Sequence, residues 1–88
     1  MSNTSENVSF QSHKLKVYPE FFKAMRNDSK RFEIRKKDRD FHINDSLLLQ
    51  EWDPEKEVYT GSSIIFTIKY VLAGEKWGLK PDFVILGL

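Results

Sequence analysis

Residues 62–72, SSIIFTIKYVL, place an apolar side chain at every second position from Ile64 to Leu72, and no other feature narrows the fold as much. A strand sends successive side chains to opposite faces, so Ile64, Phe66, Ile68, Tyr70 and Leu72 share one face. A helix would scatter those five around its circumference. A strand this long needs partners, and the rest of the chain offers them. HKLKV (13–17) alternates with Leu15 and Val17 inward, SLLLQEW (46–52) is a third strand, and FVILGL (83–88) is apolar on both faces, as a central strand is. Pro19 suits the first turn of a helix, and PEFFKAMRN sets Phe21, Phe22 and Met25 on one face. Asn27 and Asp28 end that helix, because both accept the left-handed backbone of a C-cap; Asn44 has the same task in the turn before residue 46.

The element order is therefore β-α-β-β-β-β. It predicts an α+β domain over residues 13–88 whose strands curl into a small barrel, preceded by a flexible, polar tail over 1–12. The chain is 88 residues long, enough for one core. It has no cysteine, which removes disulfides and thiolate metal sites. His13 and His42 lack ligand spacing, so neither metal nor cofactor is expected. No apolar run approaches the roughly 20 residues of a membrane span, and the N-terminus lacks a signal-peptide core. The chain reads as cytoplasmic, with no membrane partner.

The remaining strand raises the functional question. DSKRFEIRKKDRDF (28–41) alternates Phe32 and Ile34 as a core strand would, yet seven of the fourteen basic residues fall between Arg26 and Arg39. Only Asp28, Glu33 and Asp38 oppose them, while EWDPEKE (51–57) carries four acids against one lysine. The parity places Phe32 and Ile34 inward and Arg31, Glu33 and Arg35 on the opposite face. Glu33 and Arg35 then lie within reach of each other. A charged face can be the solvated edge of a sheet, which blocks aggregation, or one wall of a binding cleft.

DSKRFEIR resembles the G-x-K-x-x-E-x-R signature of the ASCH domain, a branch of the PUA-like superfamily, with Lys30, Glu33 and Arg35 on the motif positions. The stretch from HKLKVYPEFFKAM through FEIRKKDRDF and LLLQEWDPEKEVYTG to WGLKPDFVILGL is similar to an ASCH-like group of small bacterial and phage proteins. The resemblance implies a PUA-like β pseudobarrel with one or two short helices and a cleft lined by the motif. It further implies a partner that is RNA, a nucleotide or a modified nucleoside.

Each motif residue suits that task. Arg35 offers a planar fork for phosphate or carboxylate, and Lys30 a point charge. Glu33 either orients the two cations or accepts a base amino group. Arg31, Lys36, Lys37 and Arg39 would attract phosphate around the cleft. Trp77 sits in the glycine-flanked loop GEKWGLKP, where it faces the ligand or caps the barrel. Trp52 and Tyr59 are further stacking candidates, whereas Tyr70 reads as core.

The sequence departs from the family at two places. Asp28 replaces the motif glycine, and Glu33 stands where the branch that cleaves N4-acylated cytidines has a threonine proposed as nucleophile. The leading expectation is an RNA- or nucleotide-binding module without a catalytic residue. The alternative is a small amidohydrolase or nuclease acting on modified nucleosides or RNA through Lys30 and Glu33. A protein-interaction module using the acidic 51–57 segment is a third possibility. The sequence leaves the oligomeric state open.

Overall fold

The computed structural model describes residues 9–88. It is a small α+β fold of two three-stranded sheets and one helix, and the sheets do not join into a closed barrel. The strands are β1 (Ser12–Val17), β2 (Phe32–Lys36), β3 (Ser46–Asp53), β4 (Val58–Thr67), β5 (Tyr70–Ala73) and β6 (Phe83–Gly87). The helix α1 spans Pro19–Arg26, and Glu75–Trp77 forms a single 3-10 turn. Residues 1–8 of the expected tail lie outside the described residues. Its end is not loose: Gln11 donates its N–H to Asp45 and accepts from the Ser46 N–H, and β1 begins at Ser12.

The first sheet has the order β1-β3-β4, with β1 parallel to β3 and β3 antiparallel to β4. The second has the order β2-β6-β5, all antiparallel, so the doubly apolar β6 is its centre. Leu15 and Val17 of β1, Leu47 and Leu49 of β3, and Val84 and Leu86 of β6 meet Phe22 and Met25 of α1 in one core. Phe21, expected with that helical face, is exposed instead.

The long alternating run 62–72 is two strands rather than one. β4 ends at Thr67 and β5 begins at Tyr70, with Ile68 and Lys69 carrying the chain from one sheet to the other. Ile68 is fully buried at the junction, where its N–H reaches the Asp45 carbonyl and its carbonyl accepts the Asn44 N–H, both at 2.8 Å. The crossing turns the following residues over. Tyr70, expected in the core, is therefore 61% exposed. Its register partner is Gly87, which also pairs with Phe32, so a glycine separates two aromatic residues across the outer face.

The hairpin between β3 and β4 has its own irregularity. Gln50 faces Ser63 and Trp52 faces Tyr59, so one residue of β3 opposes three of β4. Gly61, with φ +97°, supplies the left-handed backbone this bulge needs.

Asp28 and Asn44 both hold positive φ, 66° and 80°, as their places after a helix and before a strand require. Exchanging the exposed Asn44 for glycine should leave stability within a few tenths of a kcal/mol of the parent, whereas Asn44→Ala should cost about 1 kcal/mol. Urea melts of the two variants check this. A comparable loss in both would show that the amide, rather than the backbone angle, is what the turn requires.

Candidate functional site

β2 has the opposite parity to that expected. Glu33 is 7% exposed, while Phe32 and Ile34 are 43% and 46% exposed. The cause is the pairing with β6. Glu33 stands opposite Leu86 and Arg35 opposite Val84, so the charged residues share the inner face with two core side chains. Phe32 and Ile34 pair with Gly87 and Ile85 on the other face, which is open.

Burial of a carboxylate demands partners, and Glu33 has two. Lys30 Nζ donates to its Oε1 at 3.1 Å and Arg35 Nε to its Oε2 at 2.7 Å. The three motif residues are thus one connected cluster. Both cations have a second bond: Lys30 donates to the Phe32 carbonyl at 2.7 Å, and Arg35 to the Lys16 carbonyl. These carbonyls lie on outer strands, β2 of the second sheet and β1 of the first. Arg35 accordingly spans from one sheet to the other, and the cations cap edge groups that would otherwise invite another strand.

A cleft opens where the two outer strands approach each other. Lys16, Tyr18, Phe21, Arg35, Lys36 and Phe83 contribute to its walls, with Glu33 at its base, and its volume is about 410 Å³. A second hollow of about 300 Å³, lined by Phe21, Lys30, Phe32, Glu33 and Ile34, continues it along β2. Both volumes fall in the range of small-ligand sites. A roomier depression on the other side of α1, beside Lys23, Arg26 and Glu51, contains none of the motif.

The other expected site residues divide. Lys36 lines the cleft. Arg31 does not: it turns to Asp28 at 3.1 Å, an exposed pair. Arg39 pairs with its neighbour Asp38 at 3.0 Å, and that hydrogen bond holds the Asp38 carboxyl below its ordinary pKa. Lys37 is exposed beside the cleft, and its N–H is bound to the Asp82 carbonyl. Trp77 is 65% exposed on its 3-10 turn and lines neither hollow.

Two groupings were not foreseen from the sequence. On the first sheet, Lys16 Nζ lies 4.0 Å over the Trp52 ring and 6.0 Å from that of Tyr59, with Tyr18 stacked near Trp52 at 6.3 Å. Lys16 connects this aromatic group to the cleft. The second grouping is His13 with Asp45, both buried, with Nε2 and Oδ2 2.8 Å apart. A carboxylate only accepts, so His13 carries its proton on Nε2. Asp45 also accepts the N–H groups of Gln11 and His42 at 3.0 Å. Burial alone would raise its pKa; the bonds from His13, Gln11 and His42 outweigh that and hold it below the ordinary value. This cluster ties β1, the 42–45 turn and the Ile68 junction together, so its position is structural. Among the described residues, no group of three His, Cys, Asp or Glu side chains could hold a metal ion, and no helix is long and apolar enough to cross a membrane.

Residues 12–88 match the family described as a domain of unknown function, DUF3850, and the chain belongs to that family. It is also similar to the "Uncharacterized 12.9 kDa protein in GpA 3'region" of Escherichia phage P2, 34% identical over 74 residues. That alignment covers 84% of this chain and 64% of the phage protein, so the chain spans just under two thirds of its relative's length.

Proposed function

We propose that this member of the DUF3850 family is an RNA- or nucleotide-binding module whose ligand sits in the cleft between β1 and β2. One observation carries the reading: the cleft combines three cations, Lys16, Arg35 and Lys36, with the aromatic rings of Tyr18, Phe21 and Phe83, against the single carboxylate Glu33. Cations meet phosphate, and flat apolar rings meet a base. The placement of Lys30, Glu33 and Arg35 along that cleft supports kinship with the ASCH and PUA-like proteins. In this reading the two open sheets correspond to a pseudobarrel parted at β1 and β2.

Binding is favoured over catalysis by the hydrogen bonds already made. Lys30 Nζ is committed to Glu33 and the Phe32 carbonyl, and each Glu33 oxygen accepts from one of the two cations. A general base or nucleophile must be turned toward the substrate, and these bonds hold the buried Glu33 carboxylate toward Lys30 and Arg35 instead. We therefore expect no hydrolysis of N4-acylated cytidines above background. The test is a binding screen against RNA oligomers and free modified nucleosides at two salt concentrations, with hydrolysis assayed in parallel. Saturable binding with a salt slope supports the module. Turnover that vanishes in Lys30→Ala, with the fold intact, would replace it by the amidohydrolase or nuclease alternative.

A further inference from the structure

The cleft is flanked on both sides by a cation held against aromatic rings. On the β1 side Lys16 lies over Trp52, with Tyr59 opposite Trp52 across the hairpin. On the β2 side Lys30 Nζ lies 4.7 Å from the Phe32 ring and 5.7 Å from that of Phe21. Arg35 stands between them, in the first hollow. Tyr59, Phe32 and Phe21 are 54%, 43% and 44% exposed, so all three are accessible to a ligand.

This sequence of aromatic, cation, cleft, cation, aromatic is longer than one nucleotide needs. Bases stacked on exposed rings, with phosphates tracked by interleaved cations, are the means by which proteins hold single strands. A duplex keeps its bases stacked on each other and offers none of those faces. We infer that the ligand is a single-stranded nucleic acid, with one nucleotide in the cleft and a neighbour stacked on each flank. Trp52 and Tyr59 take one neighbour, Phe32 and Phe21 the other. This rests on the proposed cleft and adds the chemical class and extent of its ligand.

The experiment compares uridine monophosphate, an octauridylate and an RNA hairpin without a single-stranded tail. Trp77→Phe is used as the background so that fluorescence reports Trp52 alone. The octauridylate should bind at least tenfold more tightly than the mononucleotide, quench Trp52 and resist competition by the hairpin. Tyr59→Ala should weaken the octauridylate about tenfold and leave the mononucleotide unchanged; Phe32→Ala, at the hollow that continues the cleft, should weaken the octauridylate about tenfold and the mononucleotide by much less. Because extra phosphates alone raise affinity, the variants are compared at high salt, where stacking persists and phosphate attraction fades. Both are exposed positions, and a thermal melt of each confirms the fold.

Equal affinity for mononucleotide and octauridylate, with Trp52 silent, would overturn the inference. The cleft itself would then still stand if Arg35→Ala weakened the mononucleotide. Octauridylate binding that neither aromatic variant weakens, or hairpin binding as tight as the strand, would likewise overturn it. Absence of binding to all three probes would overturn both the inference and the cleft.

Discussion

Replacing Asp45 with alanine should remove about 3–5 kcal/mol of stability, a large share of what a domain this size possesses. The carboxylate is fully buried and accepts three N–H groups, from His13, Gln11 and His42. Without it those donors lie in the interior, and each unmet group costs on the order of 1–3 kcal/mol. The amide of an Asp45→Asn variant has one oxygen where two are used, so its NH₂ would confront at least one N–H. That loss should be smaller, about 2 kcal/mol. The pH dependence has a definite sign. Asp45 has a lowered pKa in the folded state, so its contribution is present above the unfolded carboxylate value, near 3.8, and is lost as the pH falls through the folded one. Urea midpoints from pH 7 down to pH 2 should decline less steeply in Asp45→Asn than in the parent. Parallel declines would show that the carboxylate is not what acid disrupts.

The second large effect is expected at Glu33. Its carboxylate has two partners, Lys30 and Arg35, whose side chains are only 17% and 28% exposed. Glu33→Ala would leave both cations partly desolvated without a counter-charge, and a loss of about 2–3 kcal/mol is expected, below that for a fully buried pair because water still reaches them. Substitution at the same position also discriminates between ligand contacts. If Glu33 only aligns the cations, Glu33→Gln should remove the negative charge and strengthen binding of an anion, while its NH₂, set against one of the two donors, lowers the urea midpoint. If it accepts a base amino group, Glu33→Gln should weaken a ligand that carries that amino group and spare one that lacks it. Urea melts and titrations with cytidine and uridine monophosphates measure both.

Local patterns made much of the fold legible. Period-two alternation found the strands, Pro19 the helix start, and Asp28 and Asn44 the positive backbone angles. What failed depended on partners distant in sequence. Nothing within 62–72 marks the change of sheet at Ile68, because the bonds that fix it come from the 44–45 turn and, through Lys69, from Gly87. The parity of β2 is hidden for a related reason. Apolar Phe32 and Ile34 suit an interior better than Glu33 and Arg35 do, until Lys30 and the Lys16 carbonyl are brought in to satisfy the charges. The pairing of Glu33 with Arg35 was legible, since residues two apart on a strand share a face, but the same rule put Arg31 beside Glu33, and Arg31 pairs with Asp28 instead. The bond between His13 and Asp45 spans 32 positions and was not legible, although an acid in the turn sequence NDS was the available sign. Trp52 and Tyr59 are stacking candidates from residue type alone, but their junction with the cleft depends on Lys16, which only the parallel pairing of β1 with β3 places beside them.

The cleft is tested most directly by the affinity of Arg35→Lys beside that of Arg35→Ala, Lys36→Ala and Lys37→Ala, each titrated with the same RNA oligomer at two salt concentrations. Arg35 sits between the sheets with its fork fixed by Glu33 and the Lys16 carbonyl, so a lysine retains the charge and loses the geometry. In a specific cleft, Arg35→Ala should cost roughly 1.5–3 kcal/mol of binding, and Arg35→Lys nearly as much. Lys36→Ala and Lys37→Ala should cost less and chiefly lower the salt slope by about one unit each. Melts run alongside separate lost binding from lost fold. Equal, small, salt-sensitive losses at positions 35, 36 and 37, with Arg35→Lys indistinguishable from the parent, would contradict the cleft and leave FEIRKK as the charged edge of a sheet.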